Sequence, residues 1–129
     1  MKKKFLALAF AGITVLGVQA YAHHSFASTY LEAERMTIEG DVAQFLFRNP
    51  HSFLHVEAKD ASGKMVRYAI EWGGAAQLGG QGVQSDTLKP GDHVIIIGAP
   101  GRNMSNDHRM RMVSVQRTSD KKTWGQPFN

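Results

Sequence analysis

Alternation of apolar and polar residues in the middle of the chain predicts two neighbouring β-strands. In the stretch SFLHVEAKD, Leu54, Val56 and Ala58 fall on one face and the residues between them on the other. The stretch MVRYAIEW repeats this alternation after a DASG turn at residues 60–63. Two alternating stretches joined by a turn of this type predict an antiparallel hairpin.

The stretch MTIEGDVAQFLF, which precedes the hairpin, predicts a strand that bends. Its apolar residues occupy even positions from Met36 to Val42 and shift to odd positions from Phe45 onwards. A change of phase beside a strand glycine, here Gly40, is typical of a β-bulge. Such a bend lets one strand take part in both halves of a barrel.

Two further strands follow a long, glycine-rich connection at residues 73–88, which can hold at most one short helix. The stretch HVIIIG is apolar on both faces after His93, which predicts a central strand or one covered on both faces. The stretch MRMVSVQR predicts the last strand, with Val113 and Val115 facing inward.

This order of elements predicts an all-β fold, a small five-stranded OB-like Greek-key barrel with an N-terminal arm at residues 23–35. The predicted barrel domain, arm included, spans residues 23–117, and the polar composition of residues 118–129 predicts a flexible C-terminal tail. A flattened sandwich of the same strands is the competing architecture.

Residues 1–22 have the three parts of a secretory signal peptide. Three lysines precede an apolar stretch from Phe5 to Val18, which is too short to span a bilayer comfortably, and the sequence Ala20-Tyr21-Ala22 fits a cleavage site. The leader predicts export to the periplasm or the outside of the cell.

Composition narrows the functional classes. The chain has 15 Lys and Arg against 11 Asp and Glu, but three of the lysines belong to the leader, which leaves a net charge near +1. A nearly neutral exported domain is not expected to bind nucleic acid, nor to insert in a membrane once the leader is cleaved. The absence of cysteine excludes disulfides, thiolate metal sites and cysteine nucleophiles.

Several motifs resemble those of a family of small secreted bacterial proteins that is catalogued as a domain of unknown function. They are AHHSF after the leader, NPH after the first strand, HVEAKDASGK in the hairpin, AIEWGG, and LKPGDHVIIIGAPGRN. The resemblance covers roughly residues 23–115 and implies export and a small β-barrel-like domain. It implies no established activity and supplies no catalytic residues.

The histidines at the cleavage site suggest a metal. Cleavage after Ala22 would make His23 the first residue, so that its α-amine and imidazole could chelate one ion, as in the histidine brace of copper proteins. His24 and His51, which follows Asn-Pro at a strand end, are the predicted further ligands, and nitrogen ligands in this arrangement suit copper. The predicted function is therefore an exported, non-enzymatic binding protein for a transition metal.

Alternatives to this interpretation remain. Cleavage after Ala20 would place His23 third, which resembles the amino-terminal copper and nickel motif. The protein could instead be a module that binds an envelope protein or a small ligand through Trp72 and residues 73–88, with structural histidines. A catalytic copper brace would need an open position on the metal.

Two other groups of side chains carry weaker predictions. His108, Met110 and Met112 share parity near Met104 and could bind Cu(I), but methionines more often fill gaps in a small core. His55 is a weaker ligand candidate than His51, because a straight strand separates the two by roughly 13 Å.

Glutamates occur on three of the predicted strands, at Glu39, Glu57 and Glu71. Two of them could converge at the mouth of a barrel as an acid and base pair. Their alternating positions favour solvated strand faces instead.

Overall fold

The computed structural model describes residues 26–125, which form a mostly β structure with only short helices. The strands are β1 (Met36–Leu46), β2 (Phe53–Lys59), β3 (Met65–Glu71), β4 (His93–Pro100), β5 (Arg109–Arg117) and β6 (Thr123–Gly125). The helices are α1 (Ala75–Gly79) and α2 (Met104–Asp107), and residues 26–29 are also helical. Within this part of the chain no helix is long and apolar enough to cross a membrane.

The first five strands close into a barrel, as the sequence predicts. β1 pairs with both β2 and β4, β2 pairs with β3, and β4 pairs with β5, all antiparallel. The barrel is closed by a short parallel pairing of β3 with β5, between Ala69–Glu71 and Arg109–Arg111. The strand order is that of the predicted OB-like barrel.

β1 bends as expected from its pattern. The register with β2 shifts between Val42 and Gln44, which is a β-bulge. Gly40 lies where β1 changes partners, because it pairs with Ala58 on one side and with Val94 on the other. Leu54, Val56 and Ala58 of β2 all point into the core that this bend encloses.

Of the last two barrel strands, β4 agrees with the prediction and β5 differs in detail. β4 is central, between β1 and β5, which is one of the two predicted arrangements, and its outer face is open at Ile97, which is 39% exposed. β5 carries a bulge at Val113, because Gly98 pairs with Met112 and Ile97 pairs with Ser114. The bulge shifts the inward face, so that Met112 is buried where Val113 was expected.

The sixth strand lies outside the barrel, where the sequence predicts only a flexible tail. β6 pairs with residues 114–116 of β5, and Trp124 packs against the core. Arg117 donates two hydrogen bonds to Asp120, which lowers the pKa of that carboxyl to about 2 and stabilises the turn before β6. A strand of three residues is too short to produce an alternating pattern, which explains why it was missed.

Two segments cover the barrel. The connection between β3 and β4 contains α1, as the sequence allows, and buries Leu78, Val83 and Leu88 in the core. The N-terminal arm follows the end of β4, where the Leu31 amide donates to the Pro100 carbonyl and the Arg102 amide donates to that of Thr29. This course brings Tyr30 of the arm over the edge where β3 meets β5.

Candidate functional site

A buried carboxylate, Glu71, is the centre of the candidate site. It lies at the end of β3, on the face opposite to the core residues Ile70 and Trp72, yet it is only 8% exposed. The expectation of a solvated strand face is therefore wrong for Glu71. It is correct for Glu39 and Glu57, whose side chains are 60% and 49% exposed.

Three side chains from different elements bind the Glu71 carboxylate. Oε2 accepts hydrogen bonds from the Tyr30 hydroxyl of the arm and, at 3.4 Å, from Nη2 of Arg109 on β5. Oε1 lies 2.8 Å from Nδ1 of His51. Burial and the neighbouring carboxylate raise the pKa of Tyr30. The Tyr30 hydroxyl therefore stays protonated and donates a hydrogen bond to Glu71.

His51 is placed by the short connection between β1 and β2. The next residue, Ser52, is fully buried, and its hydroxyl accepts from the Arg48 amide and donates to the Arg48 carbonyl. The Ser52 amide and carbonyl also bond Gly73 and Trp72 at the end of β3. These bonds fix the backbone beside His51 and hold its ring next to Glu71.

The bond to Glu71 determines which nitrogen of His51 is free. A carboxylate accepts, so Nδ1 carries the hydrogen, and in the neutral ring the lone pair is on Nε2. The His51 side chain is 43% exposed, and its ring lies 5.5 Å from the ring of Phe26 in the arm. The guanidinium of Arg111, which also pairs with Glu32, lies 3.9 Å from the centre of the Phe26 ring.

Of the three predicted metal ligands, the structure places His51 alone. His23 and His24 lie outside residues 26–125. Within that range, no group of three or more His, Cys, Asp or Glu side chains is placed to hold a metal ion. Among the described residues, His51 and Glu71 are thus a pair in which Nδ1 of His51 is bound and Nε2 has no partner.

The possible soft-donor group does not form a site. Met110 and Met112 are fully buried in the core, as expected for methionines that fill gaps. His108 precedes β5 in a left-handed conformation with a φ of 48°, and its ring packs edge-on against Tyr68. His108 therefore does not share the inward face of β5 with Met110 and Met112, although all three occupy even positions in the sequence.

A second histidine is paired with carboxylates on the other side of the barrel. Nδ1 of His93 lies 2.7 Å from Asp41, its partner across β1 and β4, and Nε2 lies 3.0 Å from Glu39. Both ring nitrogens face acceptors, which favours the protonated ring. Hydrogen bonds to Asp41 and Glu39 accordingly raise the pKa of His93.

From the pairing of His93 with Asp41 and Glu39 we expect a contribution to the stability of the folded protein that depends on pH. Because the pKa of His93 is higher in the folded protein, the contribution is complete below the unfolded value of about 6.5 and is lost as the pH rises through the folded value. We expect at most about 1 kcal/mol, since all three side chains are exposed. This contribution is measured as the difference in the free energy of unfolding by urea between the parent and His93→Gln, at several pH values from 5 to 9. A difference that does not vary with pH would contradict a raised pKa for His93 in the folded protein.

Sequence reasoning missed Tyr30, Glu71 and Arg109 as a group. Their proximity depends on the course of the arm and on the parallel pairing of β3 with β5, neither of which local alternation indicates. The available signal was the presence of two aromatic residues, Phe26 and Tyr30, in an arm without regular periodicity. Aromatic residues in such a segment indicate that it docks on the domain.

Comparison with known proteins agrees with the resemblance noted from the motifs. No curated protein gives a significant match to the chain. The sequence model of a family of unknown function (DUF6152) matches residues 11–111. This range contains Glu71 and the three residues that bind its carboxylate, which are Tyr30, His51 and Arg109. Since the match covers most of the sequence, the chain belongs to this family of unknown function.

Proposed function

We propose that the protein is an exported copper-binding protein whose ligands are His23, His24 and His51. The observation that supports this best is the hydrogen bond from Nδ1 of His51 to the buried Glu71. Metal-binding histidines generally donate their second ring nitrogen to a carboxylate or carbonyl, which orients the ring and increases the basicity of the other nitrogen.

The surroundings of Glu71 make it suitable for this role. Tyr30 and Arg109 both donate to Oε2, which leaves Oε1 for His51. The carboxylate therefore cannot turn away without losing contacts on two sides. A fixed acceptor of this kind holds Nε2 of His51 in one direction, as a preformed ligand requires.

The other two proposed copper ligands, His23 and His24, are within reach of His51 along the path of the chain. Phe26 contacts the His51 ring, and His23 precedes Phe26 by three residues. Three residues span at most about 11 Å even when fully extended. After cleavage behind Ala22, the α-amine and imidazole of His23 and the imidazole of His24 would all belong to this neighbourhood.

The donor set favours Cu(II). The candidate ligands are nitrogens, and Cu(II) prefers nitrogen ligands in a tetragonal arrangement, whereas thioethers favour Cu(I). Met110 and Met112 are buried in the core and are not available beside His51. The proposal assigns binding rather than catalysis to this site and places it in the periplasm or outside the cell, after removal of residues 1–22.

Titration of the processed protein with Cu(II) tests the proposal. The sample must begin at His23, which the intact mass verifies, and binding is measured by isothermal titration calorimetry. We expect His23→Ala and His51→Ala each to lower the affinity at least tenfold, because each removes a ligand. His93→Ala is the matched control and should bind like the parent. Equal affinities for the parent and the His51→Ala variant would rule out the site.

A second candidate is the interaction module, in which the histidines are structural. The observation in its favour is that Phe26 already packs against His51 and lies under Arg111. In that case His51→Ala would release the arm and lower stability without changing Cu(II) binding. Measuring both the Cu(II) affinity and the free energy of unfolding for the same variant separates the two candidates, because the copper proposal requires the affinity to fall.

A further inference from the structure

We propose that the outer face of the barrel carries a separate oxyanion-binding site, formed by the guanidinium groups of Arg48 and Arg109 at the ring of Phe53. Its ligand would be a small molecule with a carboxylate, sulfate or phosphate group. The site does not require a metal and does not depend on the proposed function.

Both arginines are held at one aromatic ring. The guanidinium carbon of Arg48 and that of Arg109 each lie 5.6 Å from the centre of the Phe53 ring. Contacts between a guanidinium and an aromatic ring restrict the position of the cation without using all of its N–H donors. Two cations are therefore placed around Phe53 before any ligand arrives.

Arg48 has no anionic partner among the described residues. Between residues 26 and 125, its guanidinium forms no hydrogen bond or ion pair, and it lies at the Phe53 ring. Its backbone, in contrast, is rigid, because Ser52 binds both its amide and its carbonyl and the Ala75 amide donates to the same carbonyl. Arg48 thus combines an exposed side-chain cation with a backbone that hydrogen bonds hold in place.

Arg109 is only partly neutralised. Among residues 26–125, the Arg109 guanidinium pairs with one carboxylate, that of Glu71 at 3.4 Å, and this carboxylate also accepts from Tyr30 and His51. The guanidinium also lies 5.8 Å from the centre of the Tyr30 ring. A guanidinium has five N–H donors, so donors of Arg109 remain for a ligand. Its backbone is fixed in β5, where it pairs with Ala69 of β3.

The positive potential of this face acts on His55, the next outward residue of β2 after Phe53. Burial lowers the pKa of His55, and Arg67 and Arg48 lower it further. Arg67 exerts this effect although it is paired with Glu57. His55 therefore reports on any anion that binds near Arg48.

The chemistry of the two cations defines the ligand class. Guanidinium groups bind carboxylates, sulfates and phosphates through paired, charge-assisted hydrogen bonds. Sulfate and formate are suitable probes, because the first remains a dianion and the second a monoanion above about pH 5. Binding of sulfate without formate would indicate a ligand of the phosphate or sulfate class, and binding of both would include carboxylates.

NMR titration of His55 in the metal-free, processed protein tests the site. We expect saturating sulfate, compared with chloride at equal ionic strength, to raise the pKa of His55 by about 0.5. His93, which faces carboxylates on the other side, should not respond. If neither sulfate nor formate changes the pKa of His55 more than chloride does, the proposal is wrong.

A pair of charge-matched variants completes the test. Arg48→Gln should weaken sulfate binding about tenfold, since it removes one of the two cations. Arg35→Gln removes the same charge from an exposed arginine that donates to the backbone carbonyls of Glu32 and Glu34, and this variant should bind sulfate like the parent. Equal losses in the two variants would mean that net charge, and not a site at Phe53, attracts the anion. Because the site uses no histidine ligand, this result does not depend on whether copper binds.

Discussion

Replacement of Gly40 by alanine is expected to destabilise the protein by about 3 kcal/mol or more. A Cβ at this position would lie 2.0 Å from the carbonyl oxygen of Glu57 and 2.8 Å from the Cβ of Ala58. The backbone cannot move away, because β1 is hydrogen-bonded to β2 and to β4 at this residue. The clash must therefore separate strands or distort the bend of β1.

Gly79→Ala is the matched control for this prediction. No heavy atom lies within 4 Å of the added Cβ, and the residue is in α1, where alanine is favoured over glycine by about 0.5–1 kcal/mol. We expect this variant to equal or exceed the stability of the parent. Urea unfolding followed by tryptophan fluorescence measures both variants. A loss below about 1 kcal/mol for Gly40→Ala would show that the two strands are not held as closely as the structure has them.

Removal of the Glu71 carboxylate is expected to cost about 3 kcal/mol in Glu71→Ala. The substitution leaves the buried Tyr30 hydroxyl without its acceptor and removes the anion that faces Arg109 and His51. It also breaks a direct link between the arm and the barrel. The loss should appear in the free energy of unfolding measured by urea.

Glu57→Ala is the control for charge and strand position. Glu57 lies on the adjacent strand and pairs with Arg67, but both side chains are about half exposed, so we expect a change of at most about 1 kcal/mol. Similar losses in the two variants would mean that burial adds nothing to the role of Glu71. Under the proposed function, Glu71→Gln should also weaken Cu(II) binding by tenfold or more, since it alters the acceptor that orients His51.

The barrel could be predicted from the sequence because its strands carry their own periodicity. The alternation in β2 and β3 gave the hairpin, and the phase change after Val42 gave the bulge in β1. The same reasoning was correct for β5 at Val115, which is buried, and wrong at Val113, where a bulge turns Met112 inward instead. β6 escaped prediction because its stability comes from Trp124 and the turn at Asp120 and not from a repeating pattern.

The candidate site could be predicted only in part. His51 was predicted as a ligand from its position after Asn-Pro, and the structure places it beside Glu71. The predictions for His23 and His24, made from the expected cleavage site, lie outside the described residues. Glu71 was placed on an exposed face, because alternation describes a strand and its sheet but not the segment that later covers them. The cluster depends on contacts between residues 41 positions apart, such as Tyr30 and Glu71, for which a single sequence holds no local signal.

The parallel seam between β3 and β5 has a consequence for motion. It contains three residue pairs, whereas β2 and β3 are joined by seven, so the barrel is closed by its shortest ladder. Local opening in proteins begins where the fewest bonds must break, and here that is the line from Ala69 to Glu71. When this seam opens, Arg109 leaves the strand that carries Glu71, while Phe53 remains paired with that strand through β2. Among the amide hydrogens of the barrel strands, those at the ends of β3 and β5 beneath the arm would then exchange fastest with solvent. Docking of the arm over these strand ends would slow that exchange.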